Sequence, residues 1–132
     1  MDWTIEFDKA IEQYLPDLEV LQDEPMSRHT TFRIGGPAKR MAFPSSREQL
    51  VLLMSFAKNY GANPLVIGNG SNLLVPDEGL DRLVIDTSAN LNRVERGSGN
   101  TVLADAGATL ARTADLACKS GLTGLEFAHG IP

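Results

Sequence analysis

The sequence predicts an α+β fold arranged as two lobes, and three observations carry that prediction. A helix with clear start and stop signals over residues 45–60 leads into a short apolar run, Leu65-Val66-Ile67, which breaks into a glycine-rich loop. Strand, helix and strand joined this tightly form a crossover unit, which sets the loop at the C-terminal end of its strand. Past Thr87 the texture changes to two strand-like runs, residues 91–95 and 101–106, around Gly97-Ser98-Gly99-Asn100; this reads as a β-hairpin opening a second sheet.

Composition bounds the function. The chain has 132 residues, 42% apolar and 22% charged, which is one domain's worth of globular protein. A formal net charge of -5 excludes a polyanion-binding face and with it a nucleic-acid partner, so recognition of a phosphate has to come from backbone donors. The single cysteine, Cys118, allows no intrachain disulfide, and the start, Met1-Asp2-Trp3-Thr4, lacks the basic and apolar regions of a signal peptide. A cytoplasmic location is expected. No apolar stretch approaches the roughly 18 residues that span a bilayer, so no membrane partner is expected.

Taken in order, Phe7, Ala10, Ile11, Tyr14 and Leu15 repeat at helical spacing until Pro16 stops them, and the mixed charge of the opposite face predicts that the stripe docks on the domain. Residues 17–27, acidic and interrupted by Pro25, read as a connector with at most a short strand at Val20 and Leu21. Thr31, Phe32 and Ile34 favour an extended chain, Gly35-Gly36-Pro37 forces a sharp turn, and residues 40–43 resume as a strand. His29, isolated beside Arg28, reads as a surface residue. With His129 a hundred positions away and no cysteine or histidine cluster, no metal site is expected.

The helix over 45–60 opens with Ser45 and Glu48 as a capping box, carries Leu50, Leu53, Met54 and Ala57 on one face, and ends at Gly61. Pro76 to Gly79 turns the chain into a compact buried strand, Leu83-Val84-Ile85-Asp86. After the hairpin, Gly107 ends the second strand. Thr109 caps a helix with Leu110, Ala114 and Ala117 on its face, on which Cys118 is expected to be buried and inert. The stretch 122–132, rich in glycine and apolar residues, resembles a loop entering a binding site. Glu126 and His129 in a loop have no register that fixes a mutual geometry, so an acid/base pair is not assigned. Its apolar residues Leu122, Leu125, Phe127 and Ile131 are expected to form an exposed patch.

The loop itself, Gly68-Asn69-Gly70-Ser71-Asn72, is a candidate anion cradle. Its glycines bring bare N–H groups close to a ligand, and Ser71 and Asn72 add neutral hydrogen-bonding side chains. It lacks the lysine of a Walker loop and the third glycine of a dinucleotide fingerprint. On spacing alone a phosphate site and a ligand-free Gly-Asn-Gly turn fit equally well.

Three motifs break that tie. Thr31-Phe32-Arg33-Ile34-Gly35-Gly36-Pro37-Ala38, Ile67-Gly68-Asn69-Gly70-Ser71-Asn72-Leu73-Leu74 and Gly124-Leu125-Glu126-Phe127-Ala128-His129-Gly130-Ile131-Pro132, in that order and at that separation, resemble the amino-terminal part of bacterial UDP-N-acetylenolpyruvoylglucosamine reductases over residues 25–132. The resemblance implies a two-lobed FAD-binding fold of the PCMH type with the second lobe truncated. Its implied division is an N-terminal helix and connector at 1–30, a first lobe at 31–86 and an incomplete second lobe at 87–132, with the family continuing beyond Pro132.

By the same resemblance, Ile67, Gly68, Asn69, Gly70, Ser71, Asn72, Leu73 and Leu74 wrap the pyrophosphate of FAD, and Gly107, Gly130, Ile131 and Pro132 lie along the flavin or lead to its ring pocket. His129 departs from the family's usual small or apolar residue. The implied activity is reduction of a UDP-sugar enolpyruvyl ether, with NADPH as hydride donor and FAD as carrier. The family's serine acid and its enolate-stabilising groups match motifs after Pro132, so no catalytic residue is assigned and the chain alone is expected to be inactive. Two alternatives remain, a non-catalytic flavin or nucleotide module and another flavin oxidoreductase of this fold; the Arg33-Ile34-Gly35-Gly36 corner favours the cell-wall enzyme.

Overall fold

The computed structural model describes residues 2–132. At the start of helix α1 (Thr4–Tyr14) the Asp2 carboxylate accepts from the Thr4 hydroxyl at 2.6 Å and the Thr4 N–H at 3.0 Å; these bonds hold its pKa below the usual carboxylate value. Phe7, Ala10 and Ile11 are buried as the spacing predicts. An Arg40–Asp8 pair, with N–O distances of 2.7 and 2.9 Å, ties the helix to the sheet beneath it.

That sheet has four strands in the order β1-β2-β4-β3: β1 (Glu19–Pro25), β2 (Pro37–Phe43), β3 (Leu65–Ile67) and β4 (Leu80–Asp86). β1 runs antiparallel to β2, while β2 and β3 both run parallel to β4. The crossover from β2 through α2 (Arg47–Tyr60) to β3 therefore skips one position, which β4 then fills. The expected connector over 17–27 is largely strand β1 plus a short 3₁₀ turn, Met26–Arg28. Its own pattern is too polar to announce a strand, and the partner β2 makes it one. Thr31 and Phe32, expected to be extended, form a turn that ends at Arg33, whose φ is +55°.

Both faces of the sheet are covered. On one, α1 and α2 pack Phe7, Ile11, Leu53 and Ala57 against Ala42, Leu83 and Ile85. On the other, Met26, Ile67 and Val75 cover Met41, Phe43 and Val84. Each fully buried large side chain contributes about 1.5–3 kcal/mol. The division positions the site, because the helices take one face and leave the glycine loop and the corner before β2 to pack together on the other.

The helix cap lies one residue later than the sequence predicts. Ser46 is the N-cap, its Oγ accepting from Gln49 N–H at 3.1 Å, and the Gln49 side chain accepts in turn from Ser45 N–H at 2.8 Å. Gly61, at φ +74°, closes the helix. Leu53 and Ala57 face the core, but Met54 is 38% exposed. Replacement Ser46→Ala is expected to cost about 1 kcal/mol, seen as a lower midpoint of thermal unfolding with FAD affinity unaltered. A larger loss from Ser45→Ala would return the cap to that residue.

The second part begins with the antiparallel pair β5 (Val94–Arg96) and β6 (Val102–Ala104), as the hairpin reading requires. Helix α3 (Leu110–Lys119), capped by Thr109 through Arg112 N–H at 3.1 Å, lies against the hairpin. Ala114 and Ala117 are buried and Leu110 is exposed. Cys118 is exposed rather than buried, because the helix turns Ala114 and Ala117 inward and leaves its neighbour to solvent. In the final segment Phe127 and Ile131 are exposed, and Leu122 and Leu125 are half-buried.

Candidate functional site

The glycine loop leaves β3 under two constraints. The Ile67 carbonyl accepts from both the N–H (3.0 Å) and the hydroxyl (3.1 Å) of buried Thr87, which pins the end of β3 to the residue after β4. Gly70, buried at φ +72°, accepts from Thr31 N–H at 3.2 Å, and a Cβ there would stand 2.0 Å from the His29 carbonyl oxygen. Only glycine allows the loop and the corner before β2 to touch backbone to backbone. Gly36 N–H completes the seat by donating to Pro76 on the return limb, at 2.9 Å.

The loop's polar groups are left open. Ser71 N–H donates to Asn69 Oδ1 at 3.1 Å, but among the described residues the N–H groups of Asn69, Gly70 and Asn72 find no acceptor within the chain. Gly68 is exposed, with nothing within 4 Å of where a Cβ would project. Two hollows meet at Gly68 and Asn69. A cleft of about 740 Å³ is walled by Arg28, His29, Thr30, Thr31 and Arg33 of the corner, by Asp86 at the end of β4 and by Ser88 just past it. A smaller cavity of about 120 Å³ is closed by Ala106 to Leu110 and by Pro132.

Charges in the larger cleft are mostly spoken for. Glu24 Oε1 lies 2.9 Å from His29 Nε2 and 3.8 Å from Arg28 Nη1. His29 is thus a half-buried, paired residue rather than a free surface one, held beside the Phe43 ring. Buried Asp86 accepts from Ser88 N–H and hydroxyl, both at 2.7 Å, and from Ala89 N–H at 3.3 Å. Such bonds compensate the burial of its charge.

Of the residues singled out in the sequence, Gly68, Asn69, Gly107 and Pro132 come together around the small cavity. Gly70 seats the loop, Ile67 is buried beneath it, and Ser71 is half-buried beside exposed Asn72. Leu73 packs on the sheet, while Leu74 is 71% exposed; Gly130 and Ile131 are exposed and outside the cavity wall. Glu126 and His129 line a separate groove along α3, where the Glu126 carboxylate accepts from Gly124 N–H at 2.9 Å. No group of three or more histidine, cysteine, aspartate or glutamate residues suited to a metal exists among the described residues. Sequence reading passed over Thr87 and Asp86, whose only local signal is two polar residues closing a buried strand.

Comparison with known proteins follows the same lines. Residues 38–132 match the family described as FAD binding domain. The chain is 49% identical over 115 residues to the UDP-N-acetylenolpyruvoylglucosamine reductase of Moorella thermoacetica, covering 87% of this chain and 37% of that protein. To the Bacillus subtilis protein of the same name it is 45% identical over 114 residues, covering 86% and 37%. The solved UDP-N-acetylenolpyruvylglucosamine reductase of Thermus caldophilus aligns with a TM-score of 0.58 at 32% identity, over 87% of this chain and 38% of that one. A cholesterol oxidase variant from Brevibacterium sterolicum aligns at 0.59 and 17% identity, over 80% and 21%, a likeness of fold alone. The chain spans about two fifths of the length of the curated relatives it matches. The resemblance read from the three motifs and the PCMH-type fold it implied are both borne out. With the match covering most of its residues, the chain belongs to the FAD binding domain family.

Proposed function

We propose that this chain is the flavin-binding part of a longer NADPH-dependent reductase that converts UDP-N-acetylenolpyruvoylglucosamine to UDP-N-acetylmuramate for peptidoglycan synthesis, in the cytoplasm. The observation that carries the reading is the set of unbonded N–H groups of Asn69, Gly70 and Asn72 beside open Gly68, a donor set that fits a diphosphate. Ile67 to Leu74 would hold the two phosphates of FAD, and Gly107 and Pro132, across the small cavity from Gly68, would line the cofactor's path. The lobes divide near Asp86, where the four-stranded sheet gives way to the hairpin; residues 1–30 lend the first lobe a helix and an edge strand. No helix among the described residues is long and apolar enough to cross a membrane.

When bound, FAD accepts and delivers the hydride; this chain's residues bind and orient it. Thr87 holds the Ile67 carbonyl turned back into the sheet, so the loop presents donors rather than acceptors to the phosphates. No residue here is assigned as the proton donor. The test compares two preparations. The full-length reductase should purify with flavin absorbance and oxidise NADPH when UDP-N-acetylenolpyruvoylglucosamine is added, and the 132-residue chain with added FAD should not. Full-length protein without flavin would overturn the reading, and turnover by the short chain would put the chemistry in residues assigned here to binding.

A further inference from the structure

We propose that Arg33 is a further binding residue of this site, its guanidinium supplying the positive charge that the glycine loop lacks for the diphosphate of FAD. The inference rests on the flavin reading above and deepens it.

Three observations carry it. The backbone of Arg33 is left-handed, φ +55°, a conformation that costs a side-chain-bearing residue about 1 kcal/mol relative to glycine. Glycine is used for a positive φ only two residues on, at Gly35, so the strain at 33 is retained where it could have been relieved. The conformation is held by Arg33 N–H donating to the Thr30 carbonyl at 3.1 Å and by the Thr30 hydroxyl bonded to the Ile34 carbonyl at 3.2 Å. The turn thus sets the direction in which residue 33 leaves the chain.

The side chain of Arg33 makes no hydrogen bond or ion pair among the described residues, yet it lines the same cleft as Gly68 and Asn69. The other two basic residues of that cleft, Arg28 and His29, are both engaged by Glu24. Asp86, the acidic group in the wall, is satisfied by Ser88 and Ala89. Arg33 is therefore the uncommitted charge of the cleft, in a chain whose net charge is -5 and which offers no general basic coat. The loop's donors are neutral amides, whereas the ligand carries two negative charges. A planar guanidinium on the flank of the loop matches phosphate oxygens with paired N–H donors.

The experiment uses the full-length reductase stripped of flavin. FAD affinity is measured by flavin fluorescence quenching at low and high salt for the wild type, Arg33→Gln, Arg33→Lys and Arg33→Gly, with ADP and adenosine as competitors. Arg33→Gln should weaken FAD and ADP by about tenfold at low salt, flatten the salt dependence and leave adenosine unaffected. Arg33→Lys should recover part of the loss. Arg33→Gly should weaken FAD as Arg33→Gln does while raising the thermal midpoint of the apoprotein, because it removes the left-handed strain but also the charge. A wild type that binds FAD alongside an Arg33→Gln protein of equal affinity and salt dependence overturns the role of Arg33 and leaves the flavin site standing. A wild type that binds no FAD overturns both.

Discussion

Gly70→Val should abolish FAD binding in the full-length reductase and cost the fold about 3 kcal/mol or more. Two effects combine. At φ +72° a β-branched residue is strained whatever the space around it, and here the added carbon would stand 2.0 Å from the His29 carbonyl oxygen and 3.2 Å from the Thr30 Cα. Since those neighbours are backbone, relief requires the corner before β2 to lift away from the loop, breaking the Thr31 to Gly70 hydrogen bond and misaiming the free N–H groups. Gly68→Ala separates binding from folding: nothing lies within 4 Å of the added carbon and φ is not in the left-handed range. It should leave thermal stability nearly unchanged while obstructing the hollow at Gly68. Lys58→Ala, exposed on α2, is the control that should alter neither property. Unchanged FAD affinity in a folded Gly70→Val protein would remove the loop from the site.

Gly107→Ala should be nearly as damaging for a different reason. Gly107 is buried at the joint between the two sheets, with its N–H donating to the Leu91 carbonyl at 2.7 Å. A Cβ there would lie 1.9 Å from the Thr87 carbonyl oxygen and 2.6 Å from that of Leu91, both backbone atoms that cannot swing aside. The strand end must move, and Thr87 is also the residue that grips Ile67 at the base of the glycine loop. A loss of about 2–4 kcal/mol in denaturant unfolding, with FAD affinity lowered in parallel, is the expected outcome. Full stability would mean that the hairpin and the loop are not coupled through Thr87.

Much of this was readable in local pattern. The helix was legible from its stop at Gly61 and from a serine cap, although the cap read at Ser45 and Glu48 falls one residue later at Ser46 and Gln49, and the hairpin is announced by the polar glycine link between two short runs. The glycine loop declared itself by composition, and the likeness to the UDP-N-acetylenolpyruvoylglucosamine reductases by three motifs in order. The helix, hairpin and loop signals each lie within one short stretch of chain, where spacing and turn chemistry act directly, and the likeness needs only the order of three such stretches.

What the sequence by itself determined, then, is the helices, the hairpin, the glycine loop and the family; what only the tertiary structure decided is the edge strand β1 and which distant residues meet. β1 became a seven-residue strand because Glu19 to Pro25 pair with Phe43 to Pro37, a ladder no period in its acidic sequence could signal. His29 lost its freedom to Glu24 once the turn at Met26–Arg28 folded one back on the other, and Cys118 was left to solvent because α3 turns Ala114 and Ala117 inward. The site is the clearest case. Arg33, Gly68, Thr87, Gly107 and Pro132 are spread over a hundred residues and converge only because the segment before β2 crosses the sheet face left free by the helices to meet the loop after β3, where Thr31 N–H donates to Gly70, while Thr87 just past β4 holds Ile67 and touches Gly107. Hydrogen bonds and close approaches across such separations are set by the packing of the whole chain, to which no local stretch of residues holds the key.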